Sequence, residues 1–165
     1  MIAPPEFLIS LTKPWADFYS DSKLAETLVT FAHVGALVVG GGIAIAADRM
    51  TLRTSSDVER KRHLLDVAQA HRAVIISLVV VVLSGLTLFT TDVEAFWGSW
   101  IYWTKMGLVV LLLINGARMQ GIERKAAADP VVSTAHWTAY RGAAITSLVL
   151  WLATTLAGVA LVNYA

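Results

Sequence analysis

Four long apolar stretches fill most of this chain, roughly residues 24–47, 72–91, 97–118 and 142–163. A helix needs about 20 mostly apolar residues to cross the hydrocarbon core of a bilayer, and each stretch meets that length. Strands of a membrane barrel would show ~10-residue runs of alternating polarity instead. The run Val79-Val80-Val81-Val82-Leu83 does not alternate. Composition agrees: 56% of the 165 residues are hydrophobic and only 15% are charged, whereas soluble domains carry about 25% charged residues. The expected fold is an all-α integral membrane protein, a four-transmembrane-helix bundle. Residues 24–165 would form the membrane domain, and residues 1–23 an outer interfacial segment.

Several function classes fall away at once. Without cysteine there are no disulfides, thiolate zinc sites or iron–sulfur clusters. A net charge of +1 gives no argument for nucleic acid. No nucleophile–base pair, phosphate-binding glycine loop or paired intramembrane carboxylates stand out, so the sequence leans away from an enzyme. Met1 to Pro5 lacks the basic and apolar regions of a signal peptide, and insertion is expected to start from the first helix.

Charge placement sets the expected orientation. Arg49, Arg53, Arg60, Lys61, Arg62 and Arg72 lie between the first two stretches, and Arg118, Arg124, Lys125 and Arg141 between the last two. The 92–96 turn holds Asp92 and Glu94 and no cation. By the positive-inside rule both basic loops are cytoplasmic and both termini face outward, as in a bacterial inner-membrane protein. Phe96, Trp97, Trp100, Tyr102 and Trp103 would form an outer aromatic belt, and Trp137 with Tyr140 an inner one.

Local signals refine the picture. Residues 6–20 mix Phe7, Leu11, Trp15 and Phe18 with charges and a Pro14 break, which suits a segment on the membrane surface. Ser56-Asp57-Val58-Glu59 reads as a capping box, and Asp129-Pro130 as an N-cap followed by proline. The second and fourth helices should therefore start well inside the basic face and run ~35 residues, ~50 Å. Arg49-Met50 recurs as Arg118-Met119, and Ala70-His71-Arg72 as Ala139-Tyr140-Arg141, at an offset of 69 residues. A duplicated helical hairpin would give that pattern. The stripe Ala32, Ala36, Gly40, Ala44 lets helices approach closely, within the bundle, with other membrane subunits or in a homo-oligomer.

The titratable groups carry the functional question. His33 lies ~12 Å into the first span, and Lys105 lies at a similar depth on the third. A buried imidazole is costly unless it is paired or ligating, so His33 could be a hydrogen-bonded structural residue, a ligand to haem b or another tetrapyrrole, or a proton or metal relay. Lys105 either snorkels outward or turns inward beside His33 to face an anionic or electron-rich ligand, with Trp103 shaping the same pocket. Near the inner surface His71 and His136 could meet at a metal or haem site if their helices pack, or both could be interfacial. His63, four residues after Glu59, reads as a solvated helix residue. Asn115, Ser77, Ser84, Thr146 and Ser147 can hydrogen-bond between helices.

Between Leu83 and Met119 the pattern Leu83-Ser84-Gly85-Leu86, an aromatic-rich turn, Trp103-Thr104-Lys105-Met106-Gly107-Leu108 and Asn115-Gly116-Ala117-Arg118 resembles the copper-resistance protein D membrane domain. His33 followed by Gly40-Gly41 is also similar to that family's histidine-and-glycine helix. A second likeness is to the small haem-binding membrane protoporphyrinogen oxidase. Its first-helix histidine would fall on His33, and its Trp-x-x-Lys motif is similar to Trp103 and Lys105 at closer spacing. Gly116 stands where that family has a histidine. Both likenesses imply a haem- or metal-handling membrane protein, of the electron-transfer or copper-resistance kind. The alternative is an accessory structural subunit of a larger membrane complex, without its own catalysis.

Overall fold

The capping box at the start of the second long helix forms as the sequence predicts. In the computed structural model, which describes residues 3–128 and 132–164, the Ser56 hydroxyl accepts from the Glu59 amide and the Glu59 carboxylate accepts from the Ser56 amide. The helices are α1 (Glu6–Asp21), α2 (Lys23–Arg53), α3 (Asp57–Phe89), α4 (Val93–Gly98), α5 (Trp100–Ala128) and α6 (Thr134–Tyr164). No strand occurs among the described residues. The Asp129-Pro130 cap lies outside them.

α2, α3, α5 and α6 are each long and apolar enough to cross a membrane. α3 has 33 residues and α6 has 31, and their partners extend as far: α2 has 31 and α5 has 29. The first long helix continues past its apolar stretch to Arg53 and is capped by Thr54. Two antiparallel hairpins, α2–α3 and α5–α6, pack together mainly through α2 against α6 and more lightly through α3 against α5. α1, α4 and the last turns of α6 share one end, rich in aromatics; the helix ends that carry the arginines share the other.

The small-residue stripe on α2 is used inside the bundle. Gly40 is buried, and a Cβ there would sit 2.6 Å from Ser77 Cβ on α3. Its neighbour Gly41 packs on the Trp151 ring of α6, 3.2 Å from where its Cβ would be. α6 answers with a buried heptad-like run, Tyr140, Ala144, Ser147, Trp151, Thr154 and Leu161. Outward faces remain apolar, for example Val38, Ile76, Leu83, Leu152 and Leu156.

Two expectations change at the ends. Pro14 does not break its segment, because α1 runs through it as one 16-residue helix. It lies across the aromatic end, where Trp15 donates to the Thr87 carbonyl at 3.4 Å. Trp137 and Tyr140 are no interfacial belt: they are 3% and 1% exposed, in a core with Leu64, Met119, Ala143 and Ala144. All four long helices run past the apolar stretches, so the basic end has an interior of its own.

Candidate functional site

Polar side chains collect in two groups, on either side of the mid-bundle packing of Trp151 on Gly41. The group towards the aromatic end is built on His33. Its Nδ1 lies 3.0 Å from Ser84 Oγ on α3, and its Cε1 lies 3.1 Å from where a Cβ on Gly85 would be. A Cβ there would oblige the ring to give by a few tenths of an ångström. The Ser84 hydroxyl hydrogen is already directed to the Val80 carbonyl at 2.6 Å. With the hydrogen so placed, the Ser84 oxygen accepts from the ring, an assignment that puts the imidazole proton on Nδ1 and leaves Nε2 its lone pair.

Lys105 turns inward. Its Nζ lies 3.5 Å from where a Cβ on Gly158 of α6 would be, and the ammonium is near enough to His33 to act on it electrostatically. Each hairpin thus seats a charged or titratable side chain of its first helix on a glycine of its second: His33 on Gly85, Lys105 on Gly158. One turn inward from Gly158, the Thr154 hydroxyl is buried without a hydrogen-bond partner.

Trp103 does not join this group. It is half exposed and folds back so that Nε1 donates to the Trp97 carbonyl at 2.9 Å. Residues two apart on a helix point to different faces, so Trp103 and Lys105 cannot share a pocket. Tyr102, three before Lys105, is the aromatic on that side; it stacks on Phe89 with centroids 5.2 Å apart. The three-residue spacing was the available signal.

At the basic end His71 and His136 have different surroundings. His71 Nδ1 approaches Glu123 Oε2 of α5 to 2.9 Å, although the atoms are not aligned as a hydrogen bond. His136 sits beside Trp137, whose ring meets His63 at 6.3 Å. His71 is eight residues further along α3 than His63, so it stands ~12 Å higher, level with Ser147 rather than with His136. Among the described residues, no three His, Asp or Glu side chains are grouped to hold a metal ion.

His63 is buried rather than solvated, at 5% exposure. Thr51 donates its hydroxyl to the Ala47 carbonyl at 3.0 Å, so it accepts from His63 Nε2 at 2.7 Å. The longer helices bring this about, because α2 extends far enough to face the first turns of α3. Asn115 joins α5 to α6 through the Ala143 carbonyl at 2.9 Å, while Thr146 bonds only within its own helix.

Sequence reasoning missed the second polar group. Asp48 of α2 is 3% exposed and Glu123 of α5 is 7% exposed, and both act electrostatically on the buried Tyr140. They look like boundary charges in the sequence, because the apolar stretches stop short of them. Compared with known proteins, the chain matches no family model, no curated protein and no solved structure.

Proposed function

We propose that this chain is an integral membrane protein of the haem- or metal-handling kind, and that it holds its ligand in the aromatic half of the bundle through the single imidazole of His33. The carrying observation is the 3.0 Å contact of His33 Nδ1 with Ser84 Oγ, which supports a ring held by Ser84 with Nε2 left as the ligating atom. A hydrogen bond of that type raises ligand basicity and fixes ring orientation in metal sites generally. Lys105 supports the reading by supplying a cation beside it, suited to an anionic group such as a carboxylate on the ligand.

The fit has a limit, and it is specific. His63, His71 and His136 all belong to the basic end, so a bis-imidazole haem does not suit the described residues. A haem group in the aromatic half would be held by the imidazole of His33 alone. A haem group bound there would supply the redox chemistry. The chain's own residues hold the ring, neutralise the ligand and exclude water with the apolar helices around it.

The membrane setting is part of the proposal. Its support is four apolar helices with exposed apolar outer faces, and an arginine-rich end that would lie in the cytoplasm. The paired His33–Gly85 and Lys105–Gly158 seats favour descent of the two hairpins from one duplicated unit.

Hemin titration of the purified, detergent-solubilised protein tests the ligand reading. A saturable Soret band that His33→Ala abolishes is expected. No saturable binding, or identical binding by His33→Ala, overturns it.

A further inference from the structure

A small cavity of about 60 Å³ lies among α2, α3, α5 and α6 on the basic side of Trp151. Its walls are mostly apolar, and the polar exceptions are Asp48, His71 and Ser147. A water needs ~10–15 Å³ of such space and two or more polar partners, so the cavity has room for several. Asp48 needs them. Ser147 is placed to hydrogen-bond its carboxyl, yet Oδ2 is buried with no partner. A buried carboxyl oxygen in that position requires either water or a proton of its own.

His71 also lines a second, more open hollow between α3 and α5, about 400 Å³, with Glu123, Arg72, Gln120 and Arg124. His71 is therefore shared by the buried cavity and a groove at the basic end, and Glu123 meets it from the groove side. On the other side, Gly41 packed on Trp151 closes the chamber.

We propose that this chamber is a water-filled proton-exchange site, with Asp48 as its terminal group and the His71–Glu123 pair as its port to the groove. The titratable and charged groups facing Asp48 are His71 from α3, Glu123 from α5 and Tyr140 from α6. His63 is within electrostatic reach of Glu123, and Arg72 and Arg124 rim the groove. A proton on the His71 ring passes to a cavity water, breaking an N–H bond and forming an O–H bond. That water breaks one of its own O–H bonds to form the carboxyl O–H of Asp48 and is itself restored. The His71 ring takes a proton back from water in the groove, breaking an O–H bond and forming an N–H bond. Traffic is with the basic end only, because Trp151 blocks the way onward. The chamber is separate from the His33 site and does not depend on any ligand there.

Infrared difference spectroscopy on the full-length protein in nanodiscs tests this, with carboxyl-¹³C aspartate as the label. On pH cycling, a carboxylic-acid band that shifts with the label should appear and disappear. Asp48→Asn should remove it. Ser147→Ala, a milder change, should move its frequency. His71→Gln should slow its exchange in D₂O about a hundredfold, the scale of losing a positioned proton carrier. Where Asp48→Asn fails to fold, the labelled band and its response to Ser147→Ala decide the matter. Absence of any labelled band that responds to Ser147→Ala overturns the site, and unchanged exchange in His71→Gln overturns the port.

Discussion

His33 Nδ1 and Ser84 Oγ stand 3.0 Å apart across α2 and α3, and the serine hydroxyl has already committed its hydrogen to the Val80 carbonyl. That geometry orients the ring as well as choosing its tautomer. Replacing Ser84 with alanine removes the acceptor and leaves the fold's apolar contacts in place. Hemin affinity should fall about 10–100-fold, the usual effect of losing a partner to a ligating histidine. Absorbance titration measures it; an unchanged affinity would remove Ser84 from the account.

Gly85→Ala makes a complementary case. Its Cβ would lie 3.1 Å from His33 Cε1, so the ring must shift by a few tenths of an ångström. Ligand binding should weaken while the protein still elutes as a folded species with unchanged helical circular dichroism. Equal losses of binding and of folding would show that the glycine serves stability alone.

Glycine spacing on α2 can be tested for stability directly. A Cβ on Gly40 would meet Ser77 Cβ at 2.6 Å, whereas one on Gly42 would meet nothing within 4 Å. Gly40→Ala should destabilise by about 1–3 kcal/mol through overpacking. Gly42→Ala should be neutral or stabilising by up to about 1 kcal/mol, since alanine is the better helix former. Denaturant unfolding in detergent separates the two. Similar values for both would contradict the α2–α3 packing.

The His63–Thr51 bond belongs to the basic-end core. Thr51→Val leaves the His63 Nε2 hydrogen buried without an acceptor, at a cost of about 1–3 kcal/mol. A double-mutant cycle with His63→Phe should show coupling of about 0.5–3 kcal/mol. Additive losses would mean that the two side chains do not interact.

The helical architecture was legible because apolar length is a strong signal, and so was the α3 start, because a capping box acts through three neighbouring residues. What escaped were features made by helices continuing past their apolar stretches. Asp48, His63, Glu123, Trp137 and Tyr140 sit in polar or amphipathic sequence and look like surface residues there. They become interior only because α2, α3, α5 and α6 all extend together and bury one another's ends. The aromatic-end site was half legible. Depth along two helices brought Lys105 towards His33, but Trp103 lies on another face of α5 and folds back on Trp97. Ser84 was legible as an interhelical donor or acceptor, though its histidine partner was not, because the pairing depends on the register of α2 against α3.

The tautomer of His33 is the point on which the ligand reading turns, and nitrogen-15 NMR of the ring-labelled protein reads it directly. The neutral His33 ring should show its hydrogen on Nδ1 and a bare Nε2, and the Nε2 signal should be the one that moves or broadens when hemin is added. A hydrogen on Nε2, with Nδ1 bare towards Ser84, would contradict the account.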